Sequence, residues 1–277
     1  MRFCAFRRYN RGGMARSSTA DEMAARAAAA PARELEPFFR SAEKEVLLAL
    51  ARNRNLGERE LLRLLERRDL PPGVVAELAR HEAAQSSAAV RLAVARHPRA
   101  PRRVSLPLLK FLFLFDLVKL AQTPAVPADV KIAAEEMILK RAESLPRGER
   151  MTLARRGPGR VAAALLNTAD SLQIQAALEN PYLTEALVLK ALSADTIAPI
   201  VVETIARNEK WSRRYALRLR LVRHSMTPFH VILGWLPSLA AGDLREVCQD
   251  RRMPDSVRRY LLGYCAERLG KPHLGSD

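Results

Sequence analysis

The feature that most constrains the fold of this chain is an internal duplication at a fixed offset of 127 residues. When residues 51–141 are laid on residues 178–268 without a gap, 27 of 91 positions are identical. Self-similarity at a constant offset is the signature of a chain built from repeated structural units. We therefore expect stacked helical units that each contact mainly their neighbours.

A shorter motif recurs inside each copy and marks the corners between helices. Helix ends of the form small residue, Arg or Gln, then a polar residue follow one another at steps of 28, 16 and 26 residues in both copies. In VARHPRAP, which begins at Val94, the side chains of Arg96 and His97 suit the negative end of a helix. Pro98 stops that helix and Pro101 fits the first turn of the next one. The motif predicts an inter-helix corner.

The polar residues at these corners are predicted to be structural rather than a row of ligands. Asn and His tolerate the left-handed or bridge backbone conformations that corners require, and Asp and Thr can cap helices. Helix ends also leave backbone groups that need partners. The set comprises Asn53, His81, His97, Thr123, Asn180, Asn208, His224 and Asp250.

The corner pattern VRLAVARHPRAP (Val90 to Pro101) resembles the leucine-rich repeat variant and HEAT-like α-solenoid families over most of residues 43–268. The resemblance implies an armadillo-type, all-α fold, a right-handed α-solenoid of stacked short helices (HEAT/ARM-like) with a concave face. Such families are mainly interaction scaffolds, so it implies partner binding. Some leucine-rich repeat variant proteins carry a cysteine cluster for an iron–sulfur centre, but nothing here matches one, and we carry over no cofactor and no metal ligand.

The duplication predicts a single solenoid domain over residues 32–268, built from two copies of about 95 residues. The copies at 51–141 and 178–268 would be joined by connecting helices over 142–177. A helical segment over residues 32–53 would cap the first unit with Phe38 and Phe39.

Both ends of the chain are predicted to lie outside this domain. Residues 1–31 are expected to be a disordered tail, or to follow a start codon assigned too early, with Met14 as the true start. An Arg-rich targeting peptide is an alternative for this segment. Residues 269–277 are expected to be a C-terminal tail.

The net charge of +16 suggests an acidic partner such as nucleic acid or an anionic membrane face. An alternative is that arginine and alanine are abundant throughout, as in proteins of GC-rich genomes, because the charge is spread along the chain. The longest apolar run, Leu106 to Val118, is interrupted by charges and falls short of the ~20 residues that a membrane span needs. We therefore expect a buried helix there and no membrane span.

Three cysteines, Cys4, Cys248 and Cys265, form neither a disulfide framework nor a C-x-x-C pair. Disulfides are rare in reducing compartments. The cysteine pattern therefore favours a cytoplasmic location.

The densest basic helix lies in the second copy and is the leading candidate for partner or anion binding. Three of its arginines replace Ser86, Ser87 and Ala93 of the first copy. Guanidiniums bind phosphates and carboxylates through two parallel hydrogen bonds and stack on rings. The alternative is a solvated helix face with one aromatic residue in a groove. The candidate residues are Lys210, Trp211, Arg213, Arg214, Arg218, Arg220 and Arg223.

A second difference between the copies is aromatic. Phe111, Phe113 and Phe115 align with Ser238, Ala240 and Gly242 respectively. Phe111 and Phe115 are one helical turn apart while Phe113 points elsewhere, so at least one ring is expected outside the core. Core packing is favoured over a partner surface, and a self-association surface is a further alternative.

No H-E-x-x-H, phosphate-cradling G-x-x-x-x-G-K-[ST] or G-x-S-x-G sequence occurs. HEAT-like alkylpurine DNA glycosylases invite comparison through Trp211, Trp235 and Asp243, but no motif allows their functional residues to be transferred. We therefore expect a non-catalytic repeat scaffold that binds a partner, in the first place a protein, through a concave, basic surface. A nucleic-acid-binding solenoid is the alternative function.

Overall fold

The computed structural model describes residues 11–194, 196–250 and 255–269. These residues form α-helices and short 3₁₀ turns, and none of them lies in a β-strand, which confirms the predicted all-α class. The chain divides into two compact units, Met1–Lys140 (unit 1) and Arg141–Asp277 (unit 2).

Unit 1 consists of short helices joined by tight corners. A 3₁₀ turn, Leu109–Phe111, joins the seventh helix to the eighth, and the ninth helix ends just beyond the unit boundary. The helices are α1 (Arg11–Ala29), α2 (Lys44–Ala51), α3 (Glu58–Leu65), α4 (Pro72–Leu78), α5 (Glu82–Ser86), α6 (Ala88–Arg96), α7 (Arg102–Leu108), α8 (Leu114–Gln122) and α9 (Ala128–Ala142).

Unit 2 has the same construction. A 3₁₀ turn, Leu236–Ser238, again separates two helices near its end. The helices are α10 (Arg147–Arg156), α11 (Gly159–Ala164), α12 (Ser171–Leu178), α13 (Glu185–Ala191), α14 (Pro199–Arg207), α15 (Glu209–Ser212), α16 (Tyr215–Val222), α17 (Phe229–Trp235), α18 (Ala241–Gln249) and α19 (Asp255–Leu269).

The duplication seen in the sequence recurs in the helix boundaries. Helices α2, α7, α8 and α9 begin and end 127 residues before α12, α17, α18 and α19 respectively. The two 3₁₀ turns obey the same offset. The structural repeat begins at Lys44, seven residues upstream of the segment found by sequence identity.

Proline residues start several of these helices. Pro71, Pro101, Pro158 and Pro228 each occupy the N-cap before α4, α7, α11 and α17, with extended backbone angles. A residue at a helix start has no intrahelical acceptor for its N–H, so proline loses nothing there. The corner predicted for VARHPRAP is confirmed, because α6 ends at Arg96, His97 is extended and α7 begins at Arg102.

The core of unit 1 is built from one apolar face of each short helix. Leu50, Leu61, Leu78, Val90 and Val94 are fully buried in it. Helix α2 packs on α1 and α4, α3 packs on α6, and α6 packs on α8. Full burial of one such side chain stabilises the fold by roughly 1.5–3 kcal/mol, so successive helices stabilise one another.

Unit 2 repeats this packing scheme. Helix α12 packs on α10 and α14, and α13 packs on α11 and α16. Ile174, Val201, Ile205 and Leu217 are fully buried in one cluster, and Leu244, Val247 and Leu261 belong to a second cluster nearer the C-terminus.

The N-terminal segment differs from the predicted tail. Helix α1 packs on α2, Ala27 is fully buried, and the carbonyls of Ala27 and Ala30 accept hydrogen bonds from the Asn53 side chain. The residue run from Ala24 to Ala30 has little polar content, which the sequence analysis interpreted as low complexity rather than as a helix face. The predicted roles of residues 1–10 and 270–277 lie outside the described residues. The predicted burial of Phe38 and Phe39 at this end is confirmed.

Cys248 and Cys265 form a disulfide between α18 and α19, which the sequence analysis did not predict. Their counterparts in unit 1 are Ala121 and Ile138, both buried in the same helix pair. The helix packing inherited from the duplication therefore brings the two sulfur atoms together. Among the described helices, none is long and apolar enough to cross a membrane.

Candidate partner-binding surfaces

The asparagines at equivalent corners of the two units make identical hydrogen bonds. Nδ2 of Asn53 donates to the carbonyls of Ala27 and Ala30 at 2.8 Å each, and its Oδ1 accepts from the Asn55 N–H at 2.8 Å. Nδ2 of Asn180 donates to the carbonyls at positions 154 and 157, at 2.8 and 2.9 Å. Both side chains are buried. Each one joins its corner to the end of an earlier helix.

Histidines take the same role at other corners of unit 1. Nδ1 of His97 accepts from the Arg99 N–H at 3.2 Å, so Nε2 carries the proton and donates to the Arg67 carbonyl at 2.8 Å. His81 bonds to the Asn53 carbonyl and the Ala83 N–H in the same way. The structural interpretation of these corner residues is confirmed.

The predicted reason for these residue types is wrong, however. The backbones of His81, His97, Thr123, Asn208 and Asp250 are all extended rather than left-handed or bridging. Histidine and asparagine suit these corners because one side chain can accept from an N–H two residues later while donating to an earlier carbonyl.

The predicted basic site begins with Trp211, whose ring belongs to the core of unit 2. It is 0% exposed, and its Nε1–H donates to the Leu178 carbonyl at 3.0 Å. The Lys210 ammonium and the Arg214 guanidinium lie 4.6 and 4.9 Å from the ring centroid. Arg214 also pairs with Glu185 at 2.9 Å. Trp211 is therefore a packing residue and cannot offer its face to a partner.

Arg218 and Tyr215 bind the segment between α17 and α18. Nη1 of Arg218 donates to the Ser238 hydroxyl at 2.6 Å, and its Nε donates to the Ser212 carbonyl at 3.2 Å. The Tyr215 hydroxyl donates to the Asp243 carboxylate and accepts from the Ala240 N–H at 2.9 Å. The bond to Asp243 raises the pKa of Tyr215.

The remaining arginines of the predicted site also have partners within unit 2. Nη2 of Arg220 donates to the Leu192 carbonyl at 3.2 Å, and Arg223 pairs with Glu246 at 2.7 Å. Arg213 pairs with Glu209 at 3.4 Å and is the most exposed of the five. The sequence correctly places these cations on one helix, but the fold directs them to separate partners.

The aromatic residues of unit 1 lie on the surface. Phe111, Phe113 and Phe115 are 53, 70 and 43% exposed, which corrects the expectation that they pack in the core. The Phe111 ring contacts the Arg91 guanidinium and the Lys110 ammonium, with centroid distances of 5.8 and 4.8 Å. We call Phe111, Phe113 and Phe115 with these two cations the aromatic surface.

Sequence reasoning did not single out Arg68 and Arg96. Both are exposed and line one groove of unit 1 between α3, α6 and the corner after α8. The signal was present in the alignment of the copies, since Ala93 beside this groove aligns with Arg220, and Lys119 aligns with Glu246.

The described residues contain no cluster of His, Cys, Asp and Glu arranged to hold a metal ion. Of the residues that invited comparison with glycosylases, Trp211 is buried, Trp235 packs partly buried against the core, and Asp243 is bonded to Tyr215. Comparisons of the chain with protein families, curated proteins and solved structures found no match.

Proposed function

We propose that this chain is a non-catalytic repeat scaffold that binds a partner protein, and that its short helices stack as a right-handed α-solenoid of the HEAT-like or leucine-rich repeat variant kind. The serial packing within each unit and the repeated corner hydrogen bonds support this architecture. The cytoplasmic location inferred from the sparse cysteines belongs to the same proposal.

The observation that carries the binding function is the aromatic surface. Its backbone matches the second copy residue for residue, where the counterparts are Ser238, Ala240 and Gly242. The fold therefore does not need phenylalanine at these positions. Exposed aromatic rings are costly in water and are enriched in the energetic centres of protein interfaces. The neighbouring Arg91 and Lys110 favour a partner with acidic residues at the edge of its contact.

The basic helix is less suited to be the centre of the interface. Arg214, Arg218, Arg220 and Arg223 already have partners inside unit 2. A ligand would have to replace those partners, and the gain from a new contact would be offset by the loss of the old one.

Site-specific photocrosslinking in the source organism tests the proposal. Phe113 is replaced by the photoreactive amino acid p-benzoylphenylalanine, and the matched control carries it at Ala240, the counterpart in unit 2. We expect covalent adducts with one other protein from position 113 and none from position 240. Adducts of the chain only with itself would support the self-association alternative, and absence of adducts at 113 would overturn the proposal.

A further inference from the structure

The groove bounded by Arg68 and Arg96 has an apolar floor and a charged rim. Leu62, Leu65, Ala93, Pro98 and Ala125 form most of its walls. Its volume is about 390 Å³, enough for a few side chains. His97, at its base, is held in the neutral form by burial, which lowers its pKa.

The cations at the rim of this groove lack internal partners. Neither the Arg68 nor the Arg96 guanidinium has a hydrogen bond or an ion pair among the described residues. The counterpart of Arg96 in unit 2, Arg223, pairs with Glu246. In unit 1 the residue aligned with Glu246 is Lys119, which pairs with Asp116 instead. The duplication therefore left Arg96 without the carboxylate that its counterpart has.

The equivalent position in unit 2 is filled by a side chain of the protein itself. Arg220 aligns with Ala93 and donates to the Leu192 carbonyl, at the position that corresponds to Leu65. Ala93 has no atoms beyond Cβ, so the same space in unit 1 stays open. The helix framework thus accepts a filled groove in one unit and an open groove in the other.

We propose that this groove binds an acidic side chain, flanked by an apolar residue, from the partner protein. This inference rests on the proposed partner-binding function and specifies a second site for it. Two guanidiniums face one carboxylate, Glu66, which stands between this groove and a neighbouring cleft lined by Arg40, Arg63 and Arg67. Guanidiniums bind carboxylates with two parallel hydrogen bonds, and the floor of leucine, alanine and proline buries an adjoining apolar group.

A peptide fits this groove better than nucleic acid. Binding of a nucleic-acid backbone requires a polar track of cations that follows successive phosphates. Here the cations lie at the rim of a short apolar depression, which suits one carboxylate next to one apolar side chain.

The test is selection from a random octapeptide library displayed on phage, with the full chain immobilised. Three variants are compared with the wild type: Ala93→Arg, which copies the plug of unit 2; Arg68→Gln with Arg96→Gln; and Ala89→Arg, which adds the same charge to an exposed position of α6. Circular dichroism and thermal unfolding establish that each variant is folded. The paired glutamine variant changes only exposed residues, so it remains informative if Ala93→Arg does not fold.

We expect the wild type and Ala89→Arg to select peptides that carry Asp or Glu beside Leu, Ile or Phe. Selected peptides should bind the Ala93→Arg and paired glutamine variants at least tenfold more weakly. Peptides without an acidic preference, or with equal affinity for Ala93→Arg, would overturn the groove proposal. Failure here with a heterologous adduct at position 113 would remove the groove alone, whereas failure of both experiments would remove the partner-binding function.

Discussion

Asn53 and Asn180 carry the most demanding hydrogen-bond requirement in the chain. Each uses both amide protons on carbonyls and its oxygen on a backbone N–H while almost fully buried. Asparagine is the shortest side chain with two donors and an acceptor. The amide is therefore a structural link between successive helices.

Replacing Asn180 by alanine should lower the free energy of unfolding by roughly 3 kcal/mol, because buried carbonyls lose their donors. Asn180→Asp should be at least as damaging, since a carboxylate cannot donate and would face two carbonyl oxygens. Urea unfolding followed by circular dichroism measures both. Asn208→Ala, at a corner where the side chain only caps α15, should cost about 1 kcal/mol. Equal losses at positions 180 and 208 would contradict this account.

His97 makes the stability of unit 1 sensitive to acid. Its Nδ1 accepts from the Arg99 N–H, so protonation there removes a hydrogen bond and buries a charge beside the Arg99 side chain. Burial is the main cause that lowers the pKa of His97 below 6.5 in the folded protein. Between that lower value and about 6.5 the unfolded chain binds more protons, so the free energy of unfolding falls as pH falls through this window. Above about 6.5 His97 contributes no pH dependence.

The midpoint of urea unfolding should therefore be lower at pH 5.5 than at pH 7.5, and His97→Gln should reduce the difference. His224, whose pKa is also lowered by burial, should retain part of it. The exposed His230 serves as the control, because His230→Gln should leave the pH dependence unchanged. A His97→Gln profile identical to that of the wild type would exclude this role.

At the scale of helices, α15 depends on one buried side chain. It spans only four residues, Glu209–Ser212, and Trp211 joins it to the Leu178 carbonyl. So short a helix has almost no stability of its own. Tertiary packing of the indole, rather than local hydrogen bonds, keeps this turn in place.

Trp211→Ala should destabilise the protein by about 4 kcal/mol through the cavity it leaves. Trp211→Phe should cost less but still leave the Leu178 carbonyl without its indole donor, which we place at roughly 2 kcal/mol. Thermal unfolding monitored by circular dichroism provides the comparison, with Trp235→Phe as a control at a partly buried tryptophan. A neutral Trp211→Ala would show that the ring does not support the helix.

Helix α11 approaches the chain around Tyr182 so closely that only glycine fits at its start. A Cβ on Gly159 would lie 2.1 Å from the Tyr182 carbonyl oxygen, whereas one on Gly148 in α10 would meet nothing within 4 Å. Gly159→Ala should destabilise unit 2 by roughly 1–3 kcal/mol because the backbone must move. Gly148→Ala should stabilise it by about 0.5 kcal/mol, since alanine is the better helix former. Differential scanning calorimetry of the two variants should give melting shifts of opposite sign, and shifts of the same sign would refute the packing argument.

For the whole molecule, the high positive charge should produce only weak, diffuse binding of nucleic acid. We expect fluorescence anisotropy to detect a labelled DNA duplex at low salt and to lose it near 0.15 M salt, about where the Debye length is 8 Å. A triple variant, Arg213→Ala/Arg214→Ala/Arg218→Ala, should bind no more weakly than a control triple at exposed Arg54, Arg59 and Arg103. Binding that persists at physiological salt and is lost only in the first triple would favour the nucleic-acid alternative.

The comparison of the two copies predicts more of this molecule than any single motif does. It predicted the corners, and it located the two positions of largest contrast, Phe111–Phe115 and Arg220. It could not decide which contrasts concern the surface. Phe113 and Trp211 have similar apolar character, yet one is 70% and the other 0% exposed, because exposure depends on which helices lie opposite.

The sequence by itself determined the all-α class, the position of the helix corners and the duplication at 127 residues, because proline, helix propensity and periodicity act over short stretches of chain. Only the tertiary structure decided that the arginines of α16 are paired inside unit 2, that α1 packs on α2, and that Arg68 and Arg96 border one open groove. Those facts depend on contacts between residues more than twenty positions apart, whose partners are set by the packing of whole helices. Local pattern carries no record of them.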